Sequence, residues 1–253
     1  MISGQVETVK IITNSEWQNL SEVELAGLAN FGGMILYDKP GGITSHDVVY
    51  QVRKRLTQVC GKKVKVGHAG TLDPLATGLL LVLVGPAVKD QSRLQDLDKV
   101  YECVSWMGIG SDTYDVDGKC WLVEPVEWGE LESAKAKFSG KFVQVVPAFS
   151  AVKMGGRKLY ELARDGKVDL KKLPGRQVEV FEFEVREYRI LNKELCKMVT
   201  GLNSKEIWEV NLKFKVSSGT YIRSLVHDWG MAVGSDGVVY KLRRVKVGEW
   251  GLE

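Results

Sequence analysis

The sequence predicts an α+β fold whose sheet is mainly antiparallel and is flanked by helices and loops. Residues 208–216 alternate strictly between apolar and polar side chains, whereas residues 79–84 form an unbroken apolar run. Alternation is typical of a strand with one face in solvent, and a short continuous run is typical of a fully buried strand. Predicted strands outnumber predicted helices and do not alternate with them regularly, which favours this class over a parallel α/β fold.

Local signals predict the elements at the amino-terminal end. Ser15 is the expected cap of one short helix with four apolar side chains, Trp17, Leu20, Leu25 and Leu28. Residues 34–37 predict a strand, and the stretch 38–42 predicts a turn because it contains Pro and Gly. Thr44 and Asp47 have the spacing of a capping box, so a helix should begin there. The apolar side of that helix consists of Val48, Val49, Val52 and Leu56.

The later elements are predicted in the same way. Further strands are expected over 100–107 and 178–190, and further helices over 86–97 and 158–164. Pro86 suits the first position of a helix. The last helix should begin near Ile222 and end where Gly230 supplies a carboxyl-terminal cap.

Residues 113–118 nearly match a calcium-binding loop of the EF-hand type. The first ligand position is Thr113 rather than Asp, and the flanking residues predict strands rather than helices. We therefore interpret this segment as a hairpin turn.

The charge of the chain neither identifies nor excludes a nucleic-acid partner. The sequence has 35 Lys and Arg against 32 Asp and Glu, which gives a net charge of +3. Binding to a polyanion requires the basic residues to cluster. Clusters occur at 53–55, 62–65, 171–172 and 243–246. A solvated surface explains any one of them equally well.

Composition argues against a membrane protein and against a metal site. No apolar run approaches the ~20 residues of a membrane span, and the amino terminus lacks a signal-peptide pattern. We therefore expect a cytoplasmic protein without membrane association. The four cysteines form no Cys-x-x-Cys unit, and none of the three histidines is near a cysteine in sequence, so we expect reduced thiols and no metal.

The segment 67–78 is the strongest candidate for a functional site. It places one carboxylate, Asp73, in a loop rich in Gly, Thr and Pro, directly before the apolar run 79–84. An acid on a rigid loop at the mouth of a buried strand can be positioned accurately and shielded from water. Both conditions favour covalent or acid–base chemistry. An Asp-Pro turn that merely caps the strand is the structural alternative.

The same twelve residues closely resemble the catalytic motif of the TruB family, the tRNA pseudouridine-55 synthases. Further segments resemble motifs of this family in the same order, namely 36–45, 98–101, 147–153, 218–225 and 242–244. Several matches in the right order are more specific than any single motif. The resemblance covers roughly residues 33–250, although Ala148 and Phe149 replace the more usual Pro and Tyr.

The resemblance also implies a domain organisation. Residues 33–253 would form a catalytic domain with the pseudouridine synthase fold, and residues 146–177 would be an RNA-binding insertion. Residues 1–32 would be an extension of unknown role. Because the chain stops at Glu253, soon after Leu-Arg-Arg, we expect no carboxyl-terminal PUA domain.

The chemistry that the resemblance implies needs no cofactor. Pseudouridine formation breaks the bond from uracil N1 to ribose C1′, turns the base over and joins C5 to C1′, so nothing is oxidised or reduced. Asp73 is the candidate for starting it by attack on C1′, by attack on C6 or by removal of the ribose 2′ proton, and the sequence leaves these routes open. Arg223 is expected to pair with Asp73 and hold it ionised, and Tyr101 to stack on the target uracil.

Other residues are assigned to the substrate by the same resemblance. His68 is expected to wedge into the tRNA T-loop and help to turn the target base out. Tyr221 would line the site beside Arg223, and Leu225 would form an apolar wall against the uracil. Lys39 belongs to the same site, as a support for the Asp73 loop rather than as a reactive group.

The expected partner is tRNA, contacted at its T-arm. Bases in RNA loops can be splayed out and stacked on aromatic side chains, which is how proteins usually recognise RNA sequence. Lys153 and Arg157 of the insertion, with basic residues of 53–65 and 243–246, would meet phosphates. We expect a monomer with no obligatory protein partner.

Four other functions remain open at this point. The protein could be an RNA-binding folding factor for tRNA, a guide-RNA-dependent synthase subunit, or a synthase acting on ribosomal or messenger RNA. A nucleic-acid-binding module without enzymatic activity is the plainest alternative. It does not explain an Asp loop beside a buried strand together with matching Tyr and Arg residues.

Overall fold

The computed structural model describes residues 10–202 and 206–252, which fall into two compact units. The described part of the first unit comprises residues 10–99 and 243–252, and the second unit spans 100–242. Residues 1–9 of the predicted extension, and Glu253, lie outside the described residues. Residues 10–31 lie in the same compact unit as the residues that follow position 33. The domain boundary at residue 33 therefore stays a prediction.

The first unit contains short helices and a small mixed sheet. Its elements are β1 (Lys10–Thr13), α1 (Asn14–Asn19), α2 (Glu22–Phe31), β2 (Gly33–Lys39), α3 (Ser45–Cys60), β3 (Val66–Ala69), β4 (Thr77–Val84), a 3₁₀ helix (Gly85–Asp90), α4 (Gln91–Gln95) and β14 (Trp250–Gly251). Strand β13 (Gly237–Val247) contributes the residues from Arg243 onward. The helix predicted over 86–97 is thus a 3₁₀ turn followed by one short α-helix.

Strand β4 is the centre of this sheet. It pairs antiparallel with β2 and β3 and parallel with the last part of β13, while β1 pairs parallel with β2. All residues from Leu79 to Val84 are fully buried, which confirms the strand predicted from the apolar run. The capping box before α3 is also confirmed, since Thr44 and Asp47 each accept a hydrogen bond from the other's backbone N–H.

The amino-terminal helix was predicted wrongly. Two helices are present instead of one, and their caps are Thr13 and Ser21 rather than Ser15. Each cap forms a capping box, with Glu16 and Glu24 respectively. Sequence spacing alone does not distinguish neighbouring hydroxyl residues as caps. Both helices pack on the unit through the buried side chains Trp17, Leu25 and Leu28.

The second unit is organised around longer strands. Its elements are β5 (Lys99–Met107), β6 (Ile109–Ser111), β7 (Cys120–Leu122), α5 (Trp128–Ala134), a 3₁₀ helix (Lys135–Phe138), β8 (Gly140–Val145), β9 (Lys153–Met154), β10 (Arg157–Lys158), α6 (Leu159–Arg164), a 3₁₀ helix (Leu170–Lys172), β11 (Gly175–Ile190), α7 (Lys193–Thr200), β12 (Trp208–Val216), α8 (Ile222–Met231) and the first part of β13. The strand order is β13-β5-β12-β11-β8, and β11 pairs antiparallel with both of its neighbours.

Two details of this unit differ from the sequence prediction. Glu209, expected on the solvent-exposed face of β12, is instead buried. Its carboxylate accepts hydrogen bonds from Trp106 Nε1 at 3.2 Å and from Arg189 Nε at 2.9 Å. A buried carboxylate is tolerated when it is paired in this way. Gly230 is not a cap but an internal residue of α8, where a Cβ would lie 2.4 Å from the carbonyl carbon of Asp236.

The predicted α+β fold with a mainly antiparallel mixed sheet is confirmed. Parallel pairing joins β1 with β2 and β4 with β13, and one isolated parallel bridge joins Asp115 to Val239. Within the same residues, no helix has the length and apolar character that crossing a bilayer requires.

Candidate active site

Asp73 lies in the loop that joins β3 to β4. The two strands pair over four residues, from Val66 opposite Val84 to Ala69 opposite Leu81. Both ends of the loop therefore continue from strands that are hydrogen-bonded to each other. The neighbours Leu72 and Ala76 are buried, whereas the Asp73 side chain is only half-buried. The loop therefore anchors its backbone inward and leaves its carboxylate within reach of solvent or a substrate.

Ser45 and Lys39 attach the middle of this loop to the unit. Ser45 Oγ accepts from the Leu72 N–H at 2.8 Å and also lies 3.1 Å from the Leu72 carbonyl, to which it donates. Lys39 Nζ donates to the Pro74 carbonyl at 3.2 Å, and the Gly42 N–H donates to the same oxygen at 2.9 Å. The backbone on both sides of Asp73 is thus hydrogen-bonded to buried groups.

Arg244 attaches the two ends of the loop. Its Nη2 donates to the Gly70 carbonyl at 3.0 Å and its Nε to the Leu79 carbonyl at 2.7 Å, and the side chain is almost fully buried. Gly78 has a φ of 99°, and a Cβ there would lie 2.3 Å from the Arg244 carbonyl oxygen. Only glycine fits this close approach. The prediction that Arg244 meets RNA phosphates is therefore wrong, because its guanidinium is buried and serves the loop.

The ammonium of Lys39 is fully buried. It donates to the Pro40 and Ile43 carbonyls at 2.8 and 2.7 Å in addition to Pro74. Burial lowers the pKa of Lys39 to about 8, against the opposing effect of the Asp73 carboxylate. Lys39 therefore remains mainly protonated at pH 7, and its contacts agree with the predicted role as a support for the Asp73 loop.

His68 lies on β3, opposite Val82 of β4. Its Nδ1 is buried and has no hydrogen-bond partner among residues 10–202 and 206–252. Burial lowers the pKa of His68, and the nearby Arg244 guanidinium lowers it further. The imidazole is therefore neutral at pH 7.

Arg223 is held by the second unit at the start of α8. Nearly all of its side chain is buried, and its Nη1 and Nη2 donate to the carbonyls of Thr113 at 2.5 Å and Phe149 at 3.0 Å. Its Nε lies 3.6 Å from Oδ2 of the buried Asp115. The guanidinium thus links α8 to the turn at 113–118 and to the segment 147–153.

Tyr221 and Leu225 lie on the same helix. The backbone of Tyr221, the cap residue of α8, is held by Gln144, whose Oε1 accepts from its N–H at 2.8 Å and whose Nε2 donates to its carbonyl at 3.0 Å. Leu225 is fully buried, and Tyr101 on β5 is nearly so. The structure thus fixes the backbone of Tyr221 and buries Leu225 and Tyr101 in the second unit.

The turn at 113–118 has a larger role than a hairpin connection. It joins the antiparallel strands β6 and β7, so it is the predicted hairpin turn. However, Asp115 is buried, accepts from Thr113 Oγ1 at 2.6 Å and approaches Arg223. Sequence analysis missed Asp115 because its ion-pair partner, Arg223, lies more than a hundred residues further along the chain. The contacts of Ser45 with Leu72 and of Gln144 with Tyr221 also join residues that are distant in sequence, so sequence analysis missed these two supporting residues as well.

The predicted insertion carries exposed basic side chains. Lys153 and Arg157 are exposed on the hairpin of β9 and β10, and Arg157 pairs with Asp165 at 3.0 Å. Tyr160 lies beneath two cations, with Lys158 Nζ 5.4 Å and Arg164 Cζ 5.6 Å from its ring. By contrast, Arg55 of the first basic cluster stacks on Trp17 and donates to main-chain carbonyls, so it serves packing.

The candidate residues divide between the two units. Asp73, Lys39 and His68 belong to the first unit, and the second unit holds Tyr101, Lys153, Arg157, Tyr221, Arg223 and Leu225. Among the described residues, no three His, Cys, Asp or Glu side chains gather in a way that could hold a metal ion.

Comparison with known proteins relates the chain to one group. Residues 54–222 match the family model described as TruB family pseudouridylate synthase (N terminal domain). The matched range includes Asp73, Tyr101 and Tyr221 and ends one residue before Arg223.

Curated relatives and a solved structure point the same way. The chain is similar to proteins named tRNA pseudouridine synthase B from Fusobacterium nucleatum (40% identity, 87% of this chain and 69% of that protein) and Tolumonas auensis (42%, 85% and 60%). A third, from Endomicrobium trichonymphae, is 39% identical over 86% of either chain. A chain in the crystal structure of a Cbf5–Nop10–Gar1 complex matches with a TM-score of 0.61 and 26% identity over 90% of this chain. This chain spans about half of that one, and between 60% and 86% of the three relatives.

Proposed function

The chain belongs to the TruB family of pseudouridylate synthases, and from that membership we propose that it isomerises a uridine of tRNA to pseudouridine at position 55 of the T-loop. The three relatives that share about 40% of its residues are all named tRNA pseudouridine synthase B. This favours tRNA over ribosomal or messenger RNA as the substrate class.

The fixed loop around Asp73 is the observation that carries the proposal. A carboxylate that attacks C1′ or C6, or that removes the 2′ proton, must be held at a defined point while it remains accessible. The Asp73 loop meets both conditions, because Ser45, Lys39 and Arg244 bind its backbone and Asp73 itself is only partly buried. We assign to Asp73 the role of nucleophile or base.

Tyr101 and Arg223 are assigned to the same reaction. We propose that the Tyr101 ring stacks on the flipped uracil and that Arg223 supplies the cation that keeps Asp73 ionised. The rigid attachment of the Arg223 guanidinium supports a role that depends on orientation. Its pairing with Asp73 stays a prediction, as do the roles of His68, Tyr221 and Leu225 toward the substrate.

The RNA contacts are assigned to the insertion. Lys153, Arg157 and Arg164 are exposed there, and cations of this kind add salt-sensitive affinity for phosphates. We propose that they contact the T-arm, and that the protein acts in the cytoplasm as a monomer without a guide RNA or a partner protein.

The proposal is tested by mapping pseudouridine in unmodified tRNA after incubation with the purified protein alone. We expect modification of a single T-loop uridine by the wild type, and none by Asp73→Asn. Asp96→Asn, the same change at an exposed Asp of the first unit, is the matched control and should match the wild type. No pseudouridine in tRNA, or modification only after a guide RNA is added, would contradict the proposal.

A further inference from the structure

Tyr114 adopts an unusual backbone conformation. Its φ is 63°, and among the described residues it is the one position outside glycine with a positive φ. A bulky side chain in this left-handed region costs roughly 1–2 kcal/mol, so surrounding contacts must hold it there. Such strain is a reason to ask what the conformation is for.

The ring of Tyr114 is held by His227 of α8. The two rings stack with centroids 3.9 Å apart and planes inclined by 10°. His227 is in turn fixed by Asp236, whose Oδ1 lies 2.6 Å from its Nδ1. The backbone of Tyr114 is also fixed, because its carbonyl accepts from the Val239 N–H at 3.0 Å.

His227 and Arg223 are neighbours on one face of the helix. They are four residues apart on α8, a spacing that brings two side chains to the same side. The residues before and after Tyr114 both approach Arg223, since the Thr113 carbonyl accepts from it and the Asp115 carboxylate lies 3.6 Å away. The turn therefore contacts α8 at two points, one helical turn apart.

The conformation of Tyr114 sets the direction of a hydrogen bond to Arg223. The angle φ describes rotation about the bond from the Tyr114 nitrogen to its Cα. A change in φ rotates the Thr113–Tyr114 peptide, whose carbonyl oxygen accepts from Arg223 Nη1. If the ring lost its partner, relief of the strain would turn this carbonyl away from the guanidinium.

We propose that Tyr114, His227 and Asp236 form a clamp that positions Arg223 for the isomerisation. This inference rests on the proposed function, and it adds three positioning residues to the reaction. The stack holds the turn in its strained conformation, the turn presents Thr113 and Asp115 to Arg223, and the guanidinium keeps one orientation.

The test uses three substitutions of Tyr114 that separate the ring from the backbone. Tyr114→Phe keeps the stack and should react like the wild type. Tyr114→Ala loses the stack but keeps a Cβ that disfavours the positive φ, so its single-turnover rate at saturating tRNA should fall about 100-fold. Tyr114→Gly also loses the stack but tolerates a positive φ, so its rate should lie between the other two. The Kd for tRNA should stay within about twofold in all three, because positioning does not alter RNA contacts.

Two further variants control for general loss of structure. Tyr188 stacks on Trp128 at 3.7 Å elsewhere in the second unit, so Tyr188→Ala removes an equivalent ring and should keep the wild-type rate. His227→Ala removes the clamp from the other side and should repeat the effect of Tyr114→Ala. Because both act through one stack, the double variant should be no slower than either single one.

The outcomes separate this inference from the proposed function. A wild type that makes no pseudouridine in tRNA overturns the proposed function. If the wild type is active and Tyr114→Ala reacts equally fast, the clamp alone is overturned. The clamp is also overturned if Tyr188→Ala loses as much of the single-turnover rate as Tyr114→Ala does, or if the losses of rate add up in the double variant. If Tyr114→Ala does not fold, Tyr114→Gly and His227→Ala decide the question by the same criteria.

Discussion

Replacing Lys39 by methionine tests the support of the Asp73 loop. The two side chains have similar length, but methionine has no donor for the Pro40, Ile43 and Pro74 carbonyls that Lys39 Nζ binds at 2.7–3.2 Å. The side chain is fully buried, so water cannot simply replace the ammonium at its position.

The expected magnitude follows from these contacts. The Pro74 carbonyl keeps the hydrogen bond from the Gly42 N–H when Lys39 is replaced. The main loss therefore falls on the carbonyls of Pro40 and Ile43. A hydrogen bond from a charged donor contributes about 1.5–3 kcal/mol, and removal of the buried charge offsets part of the loss. We therefore expect Lys39→Met to lower the free energy of unfolding by about 2 kcal/mol. Looser attachment of Asp73 should also slow single-turnover conversion of tRNA by about 100-fold.

Urea unfolding and single-turnover kinetics measure the two effects. Lys89→Met makes the same chemical change at an exposed position of the 3₁₀ helix Gly85–Asp90 and should alter neither quantity. A Lys39→Met protein with wild-type stability and rate would refute the support of the loop. Normal stability with a slow rate would instead assign Lys39 to the chemistry rather than to the loop.

The wild type and Lys39→Met should also differ in how their stability depends on pH. The pKa of Lys39 is about 8 in the folded protein and 10.5 for the ordinary group, so between these values the unfolded chain binds more protons. Stability due to this residue therefore rises with pH across that window, by at most about 1.4 kcal/mol per pH unit. The stability advantage of the wild type over Lys39→Met should widen from pH 8 to pH 10. An advantage that narrows would contradict the lowered pKa.

Three further substitutions have expected outcomes. Arg223→Lys should slow single-turnover conversion about 100-fold, because an ammonium cannot reproduce the planar fork that binds two carbonyls, and an unchanged rate would remove Arg223 from the reaction. The pKa of His68 is lowered in the folded protein, so the wild type loses stability as the pH falls below 6.5. The free energy of unfolding of His68→Gln should therefore fall less on acidification. Equal acid sensitivity in urea unfolding would exclude that contribution. Gly230→Ala should lower the free energy of unfolding by about 2 kcal/mol, since the added Cβ would lie 2.4 Å from the carbonyl carbon of Asp236, and an unchanged urea midpoint would refute the close packing.

Elements determined by neighbouring residues could be predicted from the sequence. The capping box of Thr44 and Asp47 is a contact over three residues, and it starts α3 as expected. The apolar run 79–84 could only be a buried element, and its shortness favoured a strand. Signals of this kind need no knowledge of distant parts of the chain.

Features determined by distant partners could not be predicted in this way. Alternation placed Glu209 on the wet face of β12, yet Trp106 and Arg189 bury it from other strands. Gly230 has the position of a cap by spacing, but close packing against Asp236 is what requires it. In both cases the deciding contact is made by a residue that the local pattern does not include.

The candidate site shows the same division. The motif around Asp73 identified the loop, while the residue that holds both of its ends, Arg244, lies more than 160 residues along the chain. Arg244 was noted in sequence as part of the segment 242–244 and of a basic cluster, and its charge suggested a phosphate contact. The buried carbonyls that it binds could be found only from the structure.

Release of the C5 hydrogen of uridine tests the role of Asp73 most directly. Joining C5 to C1′ expels this hydrogen to water, so tRNA labelled with tritium at C5 of uridine reports each isomerisation. We predict that the wild type releases one tritium for each tRNA it converts. Asp73→Asn should release none while binding tRNA with a Kd within about twofold of the wild type, because the amide keeps the size of the side chain without its negative charge. Release by Asp73→Asn at the wild-type rate would contradict the assignment of Asp73 as the group that starts the reaction.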